Sequence, residues 1–161
     1  MHVAVVIPCY KSILNPLEER SLKQCQKILD NYDLIFALPA GLEVKQKPSS
    51  VKVEEFDQNY FKNISGYNRL MLSPEFYERF LEYDYILLYQ LDSFVFKDEL
   101  KMWCEKGYDY IGAPWIATRN LISFLLKPFN SRSIKKRKPV FFKVGNGGFS
   151  LRKTKSFYGI S

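Results

Sequence analysis

The apolar runs of this chain are short and nearly uninterrupted, and they alternate with helix-start signals; no other feature narrows the fold as much. VAVVIP (3–8), DLIFALP (33–39) and YILLY (85–89) carry apolar residues at successive positions. A strand with one solvated face alternates apolar and polar residues, so such runs predict strands covered on both faces. Asn15-Pro16-Leu17-Glu18 supplies a cap, a proline at the first helical position and an acid at the third, ahead of Leu22, Cys25, Ile28 and Leu29 at helical spacing. Ser73-Pro74-Glu75 opens a helix in which Phe76, Tyr77, Phe80 and Leu81 share a face, and Asp98-Glu99 opens another through Cys104 that Gly107 ends. VKVEEF (51–56) and YDYIGAPW (108–115) are further strands, and GLEVKQKPSS is a loop. This order predicts an α/β fold, a mostly parallel central sheet with helices on both faces, as one domain over 1–161. In such sheets ligands bind beyond the carboxyl ends of the strands.

Composition removes several chemistries. The sole histidine, His2, stands beside the first residue, so a Ser-His-Asp triad, a Cys-His pair and an HExxH zinc site are all disfavoured. Cys9, Cys25 and Cys104 are odd in number and lack CxxC spacing, which points to buried thiols. The formal net charge of +7 favours anionic partners. NLISFLLKPFNSRSIKKRK (120–138), an apolar stretch followed by a basic tract, reads as a loop with solvated charges, with peripheral contact to an anionic membrane surface as the alternative. Its basic residues do not follow a nucleic-acid module pattern, so no nucleic-acid partner is expected. With no run long enough for a membrane span and no leader-like start, the expected location is cytoplasmic, peripheral membrane association aside.

Three places carry candidate chemistry. Asp92 follows the strand YILLY with no second acid beside it; a carboxylate buried there needs a cation, a donor or a ligand. In GYNRL (66–70), Arg69 is a candidate to clamp a phosphate or pair with Asp92, with an ordinary surface helix end as its competing and commoner role. In VGNGGFSLR (144–152), the glycines allow close approach of a ligand to the main chain, or a simple hairpin or bulge, and Arg152 adds a fixed charge.

Taken together, VAVVIPCYK, FKNISGYNRLMLSPEFYERFLEYDYILLYQLDSFVF, WCEKGYDYIGAPW and VGNGGFSLRK resemble a bacterial family known as a domain of unknown function, DUF5672, and regarded as glycosyltransferases similar to the Rossmann-like, nucleotide-sugar-binding GT-A fold. The resemblance implies that Ile7, Pro8, Cys9 and Tyr10 hold the nucleoside and that Asn68 and Arg69 face the nucleotide sugar. It places Asp92 at the first acid of a metal-binding Asp-x-Asp motif, with Ser93 next, and Gly145, Asn146, Gly147, Gly148 and Arg152 toward the acceptor. Phe94 stands where the second acid belongs. One aspartate suits a weak Mn2+ or Mg2+ site, or a metal-free one in which Asp92 grips a sugar hydroxyl.

The expected activity is transfer of a sugar from a nucleotide-diphosphate sugar to a glycan or lipid-linked acceptor, in surface polysaccharide assembly. Asp109 is the candidate base, with strand-edge capping as its competing role. No acid follows Gly148, so the base comes from elsewhere or a carboxyl-terminal, acceptor-side portion is lacking. The alternative function is a non-catalytic nucleotide-sugar or glycan binding module on a degraded site.

Overall fold

The computed structural model describes residues 1–114 and 144–160; Trp115 and the segment 120–138 lie outside the described residues. In chain order the elements are β1 (Val3–Pro8), α1 (Pro16–Ile28), β2 (Asp33–Pro39), β3 (Lys52–Phe56), a 3-10 turn (Gln58–Phe61), α2 (Ile64–Leu70), α3 (Pro74–Glu78), β4 (Tyr85–Tyr89), α4 (Leu100–Glu105), β5 (Tyr110–Pro114), β6 (Val144–Lys153) and α5 (Thr154–Ile160). They build one six-stranded sheet of order β3-β2-β1-β4-β6-β5. β3, β2, β1 and β4 run parallel, whereas β6 pairs antiparallel with both β4 and β5. The expected α/β class and mostly parallel sheet hold, and the reversed strand is the glycine-rich segment.

Period-two geometry sends alternate residues of the buried strands to opposite faces. Val3, Val5 and Ile7 of β1 and Tyr85, Leu87 and Tyr89 of β4 join Leu22, Cys25 and Leu29 beneath α1. Ala4, Val6, Ile86 and Leu88 meet Leu70, Met71, Phe76, Tyr77 and Phe80 on the other face. Phe76 sits at the centre of this second layer, with ring centroids 5.5, 5.2 and 5.1 Å from those of Phe56, Tyr77 and Phe80. The capping box read at Asn15 forms as expected: its side chain accepts from the Leu17 and Glu18 amides, and Glu18 accepts from the Asn15 amide.

At the amino edge of the sheet, the Asp33 carboxylate accepts from Lys52 Nζ at 2.9 Å and from the Tyr83 hydroxyl at 2.7 Å. The bonds from Lys52 and Tyr83 hold Asp33 below the ordinary carboxylate value, and burial with the bond to Asp33 pushes Tyr83 up to about 12. A depressed carboxylate stabilises the fold above its unfolded value, and that contribution is lost as pH falls through the folded one. Asp33→Asn is therefore expected to lower stability at neutral pH by at most about 1 kcal/mol, since Asp33 is well exposed. Urea midpoints of the two proteins should converge as pH falls through the folded value.

Candidate functional site

β1 is the strand from which the chain builds in both directions, β2 on one side and β4 on the other. Connections leaving β1 and β4 diverge at such a point and open a crevice at their carboxyl ends. A cleft of about 470 Å³ lies there, lined by Pro8, Cys9, Tyr10, Lys11, Leu14 and Glu18 after β1, by Phe61, Lys62, Asn63, Ile64 and Tyr67 at α2, and by Gln90, Leu91 and Asp92 after β4. A shallower depression of about 320 Å³ at the ends of β2 and β3 shares Tyr10, Phe61 and Lys62 with it.

Each wall is fixed by bonds that sequence pattern alone does not reveal. The turn carrying Asp92 is closed by the Ser93 amide donating to the Gln90 carbonyl at 2.9 Å. Ser21 Oγ from α1 donates to the Ser93 carbonyl at 2.6 Å, and the Tyr89 hydroxyl donates to it at 3.2 Å. Gln90 is held from the other side, its amide donating to the Gly148 carbonyl at 2.8 Å. Its side-chain Nε2 donates to the Tyr67 hydroxyl at 3.1 Å, which joins the β4 turn to α2. Burial pushes the Tyr67 phenol up.

Four charged groups line the cleft, and they cancel in sum. Lys11 Nζ donates to Glu18 at 2.6 Å and lies 5.6 Å from the Tyr10 ring centroid. Burial acts to raise Glu18, but its bonds from Lys11 and the Asn15 amide outweigh that and hold the acid below the usual range. Lys62 Nζ donates to Asn59 Oδ1 at 2.6 Å and makes no ion pair among the described residues. Asp92 is exposed and has neither a hydrogen bond nor an ion pair among the described residues. The sequence expectation of a buried acid is thus corrected: β4 ends at Tyr89, and the intervening turn lifts Asp92 out of the core to the cleft rim.

Of the other predicted site residues, Ile7 is fully buried beneath the cleft, while Pro8, Cys9 and Tyr10 line it. Cys9 is buried, which raises its thiol. Ser93 serves through its backbone, as above. Asn68 and Arg69 are exposed on α2 and line a neighbouring open depression with Tyr60 and Glu75, which shares Lys62 and Asn63 with the cleft; the Arg69 guanidinium lies 5.9 Å from the Tyr60 ring centroid. Arg69 therefore does not pair with Asp92. Helical geometry explains this, because Ile64 and Tyr67, three apart on α2, line the cleft and Asn68 and Arg69 do not.

Asp109 lies just ahead of β5, level with Tyr85 at the amino end of β4, where its carboxylate accepts from Ser156 Oγ at 2.6 Å. That edge is roughly 13 Å from the carboxyl edge along β4. Asp109 ties α5 to the sheet and does not reach the cleft that Asp92 lines, so the two predicted catalytic acids do not share a site.

Gly145, Asn146, Gly147 and Gly148 form the first part of β6 at the carboxyl edge. Gly112 of β5 pairs with Ser150, but the next residue, Ala113, pairs with Asn146, so residues 147–149 bulge away from β5. Arg152 is buried, not a cleft residue: it donates from Nε to Ser150 Oγ at 3.2 Å, and from Nη1 to the Met71 carbonyl at 3.3 Å and the Tyr77 hydroxyl at 2.5 Å.

The residues present do not fit a resident divalent ion. Among the described residues no group of three or more His, Cys, Asp or Glu is placed to hold one. Glu18 is engaged by Lys11, and Phe94, at the position of a second acid, faces a different groove with Val95, Phe96 and Trp103. No helix among the described residues is long and apolar enough to cross a membrane.

The chain belongs to the family described as "Protein of unknown function (DUF5672)", whose model matches residues 50–161. No curated protein matches it. The family match thus includes Asn63, Tyr67, Gln90, Asp92 and β6, while the β1 wall of the cleft lies ahead of it.

Gly66 is the residue on which the α2 wall depends. A Cβ there would lie 2.7 Å from the Asn59 carbonyl oxygen and 2.9 Å from that of Tyr60, both backbone atoms of the 3-10 turn. Gly66→Ala is expected to push α2 off that turn, at a cost of about 1–3 kcal/mol read as a lowered urea midpoint. Gly41→Asn, at an open position of φ +77°, is the control that should change stability far less.

Proposed function

We propose that this member of the family is a glycosyltransferase of GT-A type, which binds a nucleotide-diphosphate sugar in the cleft at the ends of β1 and β4 and transfers the sugar to a glycan or lipid-linked acceptor. One observation carries the reading: a crevice at the strand-order switch point brings exposed aromatic surface, two lysines and one uncommitted carboxylate together. Tyr10 is 65% exposed, and with Phe61 it borders both the cleft and the adjoining depression, a span that suits a planar base on one side and the diphosphate and sugar on the other.

The reaction breaks the bond between the anomeric carbon and the diphosphate oxygen, whose electron pair leaves with the nucleoside diphosphate. An acceptor hydroxyl forms the new bond and loses its proton. Charge growing on the leaving phosphate needs positioned cations, a role assigned to Lys62 and to Lys11 at the rim. Asp92, exposed and unpaired, is assigned the hydroxyl side, as proton acceptor or as anchor of a sugar hydroxyl. Tyr67 accepts from Gln90 and makes no donated bond among the described residues, which leaves its proton for a ligand oxygen. No step passes through a metal ion.

A second reading, a non-catalytic nucleotide-sugar or glycan binding module, draws on one observation, the turning of Phe94 away from the cleft.

Isothermal calorimetry with nucleoside diphosphates, with and without Mn2+, tests binding: measurable affinity without the metal is expected, and heat-silent titrations under both conditions would remove the basis of the proposal. Lys62→Ala should weaken that affinity about tenfold, the worth of one charge-assisted hydrogen bond. Asp92→Asn should retain nucleotide binding and abolish turnover of the nucleotide sugar. An Asp92→Asn protein that hydrolyses or transfers as fast as the parent would favour the binding module over the enzyme.

A further inference from the structure

We infer that Arg152 and the bulge at Gly147 form a binding site for an oxyanion, a phosphate or carboxylate group, apart from the Asp92 cleft. Arg152 is 6% exposed, and a guanidinium taken out of water is costly unless an opposite charge meets it. Its bonds go to neutral acceptors, Ser150, the Met71 carbonyl and the Tyr77 hydroxyl. Among the described residues the rings of Tyr110 and Phe157 lie 5.9 and 5.3 Å from it, and its charge also acts on the Tyr67 phenol in the wall of the cleft.

No carboxylate pairs with it among the described residues. Residues 115–143 hold no Asp or Glu either, because Asp109 is the last of the sequence, whereas eleven of the 24 Lys and Arg lie beyond it. An anion from outside is what this charge lacks.

The geometry supplies a way in. Nη2 makes no hydrogen bond among the described residues, and it lies 3.5 Å from where a Cβ on Gly147 would stand. Gly147 is half-buried rather than sealed, and it belongs to the residues that bulge from β5. The gap left by the missing side chain is therefore the approach to Nη2. A planar guanidinium held through Nε and Nη1 presents Nη2 as a donor of fixed direction, which suits an oxyanion. This inference does not depend on the transferase reading.

The test follows the Arg152 side-chain Nε–Hε resonance by NMR while inorganic phosphate, and separately acetate, is added to the full chain. Saturable shifts with at least one of the two are expected. Gly147→Ala places its methyl in ordinary van der Waals contact, so it should fold as the parent does and weaken the anion about tenfold. Gly147→Val should weaken it further, and Arg152→Met should abolish it. An unmoved resonance with both anions, or parent-like affinity in Gly147→Ala and Gly147→Val, overturns the site. Displacement of phosphate by a nucleoside diphosphate overturns its separation from the cleft.

Discussion

The parallel pairing of β1 with β4 is the constraint on which the rest of the molecule depends. Val3 to Val6 lie opposite Tyr85 to Leu88, and both strands are buried on both faces. Neither can slip by one residue, because a slip would exchange the residues beneath α1 with those beneath α2 and α3. The ends of the two strands are therefore held level, and the loops that follow must part around a common crevice. Cleft residues come from sequence positions as distant as Pro8 and Asp92 because this one pairing brings them together.

A second layer of order makes the crevice more than a gap. Ser21, Tyr89 and the Ser93 carbonyl lock α1 to the turn after β4, and Gln90 links that turn to Tyr67 on α2 and to Gly148 on β6. Four elements thus converge on four residues, Gln90 to Ser93. These bonds are half-buried or buried, where a polar contact is worth more than at the surface and an unmade one costs more. Asp92 is presented by a rigid support while itself remaining solvated, so its carboxylate is available without a desolvation cost already incurred.

Much of this was legible in the sequence, and the failures have physical causes. The runs VAVVIP, DLIFALP and YILLY and the Asn15 capping box report local periodicity and capping, and these survive into the fold. Strand direction is a long-range property, so nothing local in VGNGGFSLRK marks it as antiparallel to two neighbours. Asp92 looked buried because the apolar pattern continues past it, yet Leu91 and Val95 are buried while Asp92, Phe94 and Phe96 are not, a turn that sequence alone does not distinguish from a longer strand. Asn68 and Arg69 were drawn to the cleft by resemblance, where the helix phase that sets Tyr67 inward turns them out. Tyr67, Gln90, Lys11 and Lys62 are not marked by any motif, although the i, i+3 relation of Ile64 to Tyr67 is a signal of the wall.

The placement of charge bears on how anions are recognised. Lys11, Lys62, Glu18 and Asp92 cancel in the cleft, so it offers no strong field, and selectivity there must come from directed contacts. Arg152 is the reverse case, a charge with no counterpart among the described residues, held off solvent by aromatic rings and neutral acceptors. Ring faces and hydroxyl dipoles offset part of its desolvation, but they are weaker than an opposite charge at contact distance. A fold that tolerates such a group keeps a strong donor in a fixed direction. If Arg152 were only a strut between β6, α2 and α3, a neutral side chain of similar length would fill the space without that cost, and the bulge at Gly147 would have no counterpart to open toward.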